Sequence, residues 1–337
     1  MKKGIAFAGN LIVDCVKMID AYPEKGMLCS IGSISQAIGG CAANTAADVA
    51  IMDPSLPVRC IGLIGKDQYG DYICQVLSRL GIDLSMVKKI DAPTSFTDVM
   101  TLRDTGERTF FQARGANAHL GPEHLELEQL QADILHLGYA LLLDRFDQPD
   151  SEYGTVMART LAEAQNRGIR TSIDVVSEAS DRFERLVSPS LRYCNYVILN
   201  EVESSQVTHI PVREKDGTIQ EESIQKVCAA MFELGVKDLV VIHAPEGGWC
   251  MDKEGRFYAE PSVDVPKGYI KGKVGAGDAF CAGVLYGIYQ GWDCSTCLRL
   301  GGAAAAANLS APDSISGMRP VEGLWALEQQ FKKDTCR

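Results

Sequence analysis

The stretch Lys271–Gly283, KGKVGAGDAFCAG, decides how this chain reads. Gly275, Ala276, Gly277 and Asp278 run straight into an apolar, small-residue segment of helical character. Small residues let the backbone approach a ligand closely, and the N–H groups that open the following helix point at it. Together with the positive end of the helix dipole they make an anion site. An aspartate is out of place beside a phosphate unless it is a general base. Asp278 would then take the proton from a hydroxyl as that hydroxyl attacks a phosphoryl group. The glycine-lined turn would stabilise the charge developing on the transferred group. The same four residues also suit a plain tight turn with Asp278 as an N-cap, so the rest of the chain has to choose.

A chain of 337 residues, 46% hydrophobic, has the length and apolar content for one large α/β unit with an appendage. The net charge of −11, with no basic cluster, argues against nucleic acid and anionic membrane as partners. No apolar run approaches the roughly 20 residues of a membrane span. The N-terminus MKKGIAFAGN is too short and glycine-broken for a signal peptide, and the expected location is the cytoplasm. Twelve scattered cysteines read as small buried hydrophobes of a reducing compartment. Cys294 and Cys297 have CxxC spacing, but no second pair or histidine follows to complete a zinc site. The five histidines show no metal-ligand spacing.

Working outward from the glycine turn, Gly4–Ala8 is a short apolar strand ending at Gly9-Asn10, where α/β folds present ligand contacts. Residues 39–53 begin with two glycines and continue as an alanine-rich helix. From Ala132 onward, short β-branched runs alternate with amphipathic stretches of helical length: strands at 133–137, 170–176, 196–199 and 238–243, helices at 154–166 and 224–234. That rhythm predicts an α/β fold with a doubly wound, mostly parallel sheet flanked by helices. Residues 248–260 read as a hairpin, and three helices close the chain at 278–289, 294–310 and 321–332. Extended regions at about 11–36 and 96–113 break the rhythm. They are expected to form a small inserted β-sheet that covers the site as a lid on a single domain spanning 1–337.

In their order as well as their content, these motifs resemble the ribokinase-like (PfkB) carbohydrate and nucleoside kinases. They are Gly9, Asn10 and Asp14 (G-N-x-x-x-D), Gly39, Gly40 and Asn44 (G-G-x-x-x-N), the segment Gly62–Asp83, Asn200 and Glu203 (N-x-x-E), and last the glycine turn with Asp278. The resemblance implies an ATP-dependent kinase acting on a primary hydroxyl of a sugar, such as ribose or fructose, or of a nucleoside. Asp278 is the implied base, with Gly275, Ala276 and Gly277 as the anion hole. Asp14 offers several acceptor sites to substrate hydroxyls, with Gly39, Gly40 and Asn44 beside it. Asn200 and Glu203 fall where the nucleotide phosphates and Mg²⁺ belong, Glu203 holding the metal partly through water. His243, Glu246, Gly248, Lys273 and Asn308 are the remaining candidate nucleotide contacts. A homodimer through the lid sheet is a further expectation.

Two departures matter. Where many members carry Asp-Thr before the glycine turn, an aspartate that helps hold a monovalent cation, this chain has Gly272 and Lys273. That leaves a K⁺ requirement open, with Lys273 as an alternative positive charge. His243-Ala244-Pro245 stands where a hydroxyl residue and glycine are common. Arg103, Arg108 and Arg114 lie in or beside the lid strands, and Arg114 is the candidate contact for an acidic or phosphorylated sugar. A sugar acid of the 2-keto-3-deoxygluconate type, or a hexose phosphate, is therefore the alternative substrate. A non-catalytic sugar- or nucleotide-binding regulator is the alternative of another class. A P-loop kinase is excluded, since neither Gly65-Lys66 nor Gly272-Lys273 is followed by Ser or Thr. A nicotinamide site fails because Phe280 stands where the third glycine belongs.

Overall fold

The computed structural model describes residues 3–178 and 181–334, with side chains described up to residue 331. The chain opens with β1 (Ile5–Gly9), β2 (Ile12–Ile19), β3 (Ile31–Gly39), α1 (Cys41–Met52), β4 (Val58–Gly65), α2 (Gln68–Arg79) and β5 (Asp83–Ile90). Next come β6 (Phe96–Leu102), β7 (Arg108–Ala113), β8 (Ile134–Ala140), the two-residue strands β9 (Pro149–Asp150) and β10 (Gly154–Thr155), α3 (Val156–Asn166) and β11 (Arg170–Val175). Two single-turn helices follow, α4 (Phe183–Leu186) and α5 (Ser188–Leu191), separated because Pro189 cannot continue α4. Then come β12 (Tyr196–Asn200), α6 (Glu201–Thr208), α7 (Glu221–Glu233), β13 (Leu239–Ala244), β14 (Gly247–Asp252) and β15 (Phe257–Pro261). The chain ends in α8 (Ala276–Gln290), α9 (Cys294–Asn308) and α10 (Val321–Asp334).

Nine strands form the main sheet in the order β15-β14-β13-β12-β11-β8-β1-β4-β5. From β5 to β13 all neighbours run parallel, and only the β13–β14–β15 edge is antiparallel. Burial on both faces explains why the central strands are continuously apolar. Ile5 and Phe7 of β1 enter the core under α1, α8 and α9, while Ala6 and Ala8 enter the core under α3 and α7. Tyr196 and Ile198 divide from Val197 and Leu199 in the same way on β12. Helices α8 and α9 press together at Gly283 and Gly301, where a Cβ on Gly283 would overlap the Gly301 backbone. A second close approach, Gly287 against Cys297, lies one turn further along α8.

The two extended regions form a separate four-stranded sheet in the order β3-β2-β6-β7. It is mixed: β2–β3 and β6–β7 are antiparallel, and β2–β6 is parallel. The sequence reading passed over β5 and over α6, whose eight residues are too polar to show an apolar stripe. Among the described residues no helix is long and apolar enough to cross a membrane.

Candidate active site

At the start of α8, Gly275 takes φ 79°, a left-handed conformation suited to glycine, and a Cβ there would overlap Ser314. Among the described residues no side chain caps the helix, so the first-turn N–H groups, which have no intrahelical partner, gain no side-chain acceptor either, and Gly277 is exposed. Asp278 sits in this first turn, buried rather than solvated. Its Oδ2 accepts a 2.8 Å hydrogen bond from Asn44 Nδ2, and its Oδ1 accepts one of 3.2 Å from the Tyr139 hydroxyl. Asn44 is held in turn, because Ser314 Oγ lies 2.9 Å from its Oδ1. Burial raises the Asp278 pKa, and the bonds from Asn44 and Tyr139 pull it back down.

Asp14 lies on β2, opposite Ala37 of β3 and Thr97 of β6. Its pKa is pushed up to about 6, first by burial, with Thr97 and Arg108 working against the rise and Asp278 adding to it. A side chain on Gly39 would overlap the Asp14 carboxylate, so the first glycine of the pair makes room for that acid. Gly40 caps α1 at φ 87°, and a Cβ there would overlap the Asn10 carbonyl.

A cavity of about 280 Å³ lies on the other side of Asp278. Tyr139, Asp174, Asn200, Glu203, His243 and Gly277 face it along with Asp278. Asn200 caps α6 and forms a reciprocal box with Glu203: Asn200 Oδ1 accepts from Glu203 N at 2.8 Å, and Glu203 Oε2 accepts from Asn200 N at 3.0 Å. Ser177 Oγ donates to Glu203 Oε1 at 2.6 Å. Burial still pushes the Glu203 pKa up to about 7. Asp174 goes well above the usual carboxylate range, through burial and then through the charges of Glu203 and Asp278.

Asn200, His243 and Gly277 also border a larger cavity of about 780 Å³, which runs on between β13–β14 and α9. Its walls include Gly248, Phe280, Leu298 and Ala305, and Lys273 stands exposed at it with no carboxylate partner among the described residues. Gly248 is bare because Phe280 packs on it, and His243 stacks on Phe280 at 4.8 Å. Burial lowers the His243 pKa to about 4, so the ring is neutral at pH 7. Two expectations need correction. Asn308 is fully buried and donates to the Ser314 carbonyl at 2.6 Å, since Gly302, Ala305, Ala306 and Leu309 occupy the cavity face of α9 and leave Asn308 turned away. Glu246 is also absent from the cavity wall, because Arg213 holds it in a two-pronged pair at 2.7 and 2.9 Å. Arg114 pairs with Asp144 at 2.9 Å.

Tyr139 and Asp174 escaped the sequence reading. Both stand at the C-terminal ends of parallel strands, β8 and β11, and the rule that α/β sheets bind ligands at those ends was the signal available.

A profile described as "pfkB family carbohydrate kinase" matches residues 2–320. An ATP-dependent ribose-1-phosphate kinase of Halopiger xanaduensis is 27% identical over 281 residues, covering 82% of each chain. A 5-dehydro-2-deoxygluconokinase of Clostridium beijerinckii is 22% identical over 306 residues, covering 88% of this chain and 85% of that protein. In fold, the chain is similar to Arabidopsis thaliana ribokinase complexed with ribose and ATP (TM-score 0.81, 23% identity, 98% and 99% of the two chains covered). It is likewise similar to ribokinase from Thermotoga maritima (TM-score 0.78, 21% identity, 97% and 99% covered).

Proposed function

This chain belongs to the pfkB family of carbohydrate kinases, phosphotransferases that act on a sugar hydroxyl with ATP, and we propose that it phosphorylates a primary hydroxyl with Asp278 as general base. The observation that carries this reading is the double hold on Asp278 at an uncapped helix N-terminus, beside the cavity that Glu203 faces and near enough to Asp14 for the two charges to interact. In the proposed step, Asp14 accepts bonds from the sugar's secondary hydroxyls. Asp278 takes the proton from the attacking hydroxyl, and the free N–H groups of Ala276 and Gly277 receive the transferred phosphoryl oxygens. The larger cavity would take the nucleoside, with phosphates passing over Gly277 and beside His243 and Lys273.

Mg²⁺ fits this arrangement if held through water. Among the described residues no three His, Cys, Asp or Glu side chains come together closely enough to hold a metal directly, yet Asp174 and Glu203 both face the phosphate cavity. Bound with the nucleotide, the ion would neutralise phosphate charge. Glu203 and Asp174 would orient its waters, and Asn200 would fix Glu203.

The sequence reading put neutral sugars and nucleosides first. Ribose 1-phosphate and 5-dehydro-2-deoxygluconate, the substrates in the names of the two relatives, both carry an anionic group besides their hydroxyls, which favours the acid or phosphate alternative. The role of Asp278 is tested by Asp278→Asn, expected to lower kcat by roughly 10²–10⁴ with nucleotide binding nearly unchanged. Turnover close to wild type would remove Asp278 from the mechanism.

A further inference from the structure

We propose that Arg108 and Thr101 form an anion subsite on the lid, one that holds a carboxylate or phosphate at the end of the substrate opposite the phosphorylated hydroxyl. This rests on the kinase reading above. Strand register places the two residues. Asp14 pairs with Thr97, which pairs with Gln112; four residues further out, Met18 pairs with Thr101, which pairs with Arg108. An offset of four keeps the same face, so Asp14, Thr97, Thr101 and Arg108 share one side of the lid. Burial agrees: Thr97, Val99 and Thr101 are buried along β6 while their neighbours are only partly so. Since β2 leaves the main sheet just after β1 and runs outward, Asp14 marks the inner end of this face and Arg108 the outer end.

Two groups there lack a partner. The Thr101 hydroxyl is buried with no hydrogen-bond partner among the described residues. Arg103 pairs with Asp20 and Arg114 with Asp144, but Arg108 has no carboxylate among the described residues. The charge of Arg108 is among those that hold down the Asp14 pKa, which burial and Asp278 raise. Four residues along the strands span about 13 Å and two strand spacings add about 10 Å across, so the backbones of Asp14 and Arg108 stand about 16 Å apart before arginine's length shortens the gap. A small sugar derivative reaching from Asp278 past Asp14 would bring its far end to the guanidinium. A neutral hydroxyl there gives that group no counter-charge. A carboxylate or phosphate offers two oxygens to its paired N–H groups and a third contact to the Thr101 hydroxyl.

The test is kcat/KM of the full-length enzyme with saturating Mg²⁺ and ATP on two pairs: ribose 1-phosphate against ribose, and 2-keto-3-deoxygluconate against fructose. One anionic member is expected to exceed its neutral partner by at least about 10-fold, and which one identifies phosphate or carboxylate as the source. Arg108→Ala should then lower kcat/KM for that substrate about 10- to 100-fold, chiefly through KM, as expected for a lost charged hydrogen bond. The neutral partner should hardly change. Arg108→Lys should recover part of the loss, and Thr101→Val should give a smaller loss of the same selectivity. Preference for the neutral sugars, or equal effects of Arg108→Ala on both members of a pair, overturns the subsite and leaves the kinase reading standing. No phosphorylation of any of the four overturns the subsite together with the proposed small-sugar acceptor, and leaves membership of the kinase family as it stands.

Discussion

The side-chain amide of Asn44 donates a 2.8 Å hydrogen bond to Asp278, joining α1 to the first turn of α8 across 234 positions of sequence. Tyr139 holds the other oxygen of the same carboxylate from the end of β8. Both donors favour the ionised acid, the form a general base needs, and they oppose the burial that raises its pKa.

Removing either donor should therefore raise the Asp278 pKa and move the acid limb of the kcat profile to higher pH. A hydrogen bond to a charged group is worth about 1.5–3 kcal/mol, and one pKa unit about 1.4 kcal/mol. Asn44→Ala should accordingly shift the limb by about one unit or more, and Tyr139→Phe, which loses the longer bond, by less. Rate profiles between pH 5 and 9 measure both. An unmoved limb in both variants would mean that neither donor tunes the base.

Glu203→Gln keeps the side chain's shape but removes the charge facing the phosphate cavity. The Mg²⁺ concentration for half-maximal rate should rise, while sugar affinity measured without nucleotide stays put. Titration of the rate with Mg²⁺ and calorimetry with sugar alone give the two readings. Unchanged Mg²⁺ dependence with weakened sugar binding would move Glu203 to the wrong pocket.

The same residue should leave a signature in stability. Its pKa rises from an ordinary 4.5 to about 7 on folding. Between those values the folded chain keeps a proton that the unfolded chain has lost, so Glu203's contribution falls as pH rises through that window. The Tm of the wild type, relative to Glu203→Gln, should decline from pH 5 to pH 8 in metal-free buffer. A difference that stays flat with pH would contradict the raised pKa.

Lys273 is exposed at the larger cavity, one residue after the glycine that replaces an expected aspartate. If its ammonium supplies the positive charge beside the anion hole, activity should be nearly independent of K⁺. Lys273→Ala should then slow turnover, with partial rescue by K⁺. Assays in sodium-only and potassium-only buffers decide. A strong K⁺ requirement in the unmodified enzyme, with normal behaviour of Lys273→Ala, leaves the lysine without that role.

How much of this was legible beforehand follows from the range of each interaction. The α8 turn, the alternation of strands and helices, and the lid strands rest on local requirements: a positive φ at Gly275, the period of apolar residues, a turn at Asp104–Glu107. Such requirements are written into a few consecutive residues, and the sequence carries them openly. The acceptors at Asn200 and Glu203 were also visible as a pair. Their spacing is that of a capping box, but without an apolar stripe behind it the helix α6 does not stand out in the sequence.

Facing and partnership across the fold are not local, and only the tertiary structure decided them. Asn308 and Leu309 are neighbours in sequence, yet only Leu309 meets the larger cavity, because helix rotation sends consecutive side chains in different directions. Glu246 was committed to Arg213 by the packing of a distant loop. Asp174 lines the cavity beside Asp278 because β11 ends beside β8 and β12 in the sheet, and Tyr139 reaches Asp278 because β8 ends opposite α8. The sequence by itself determined which residues can do acid–base and anion chemistry, since that is a property of each side chain and its immediate neighbours. Which of them share one cavity depended on strand order and helix rotation, which bring together positions more than two hundred residues apart and which no short stretch of sequence encodes.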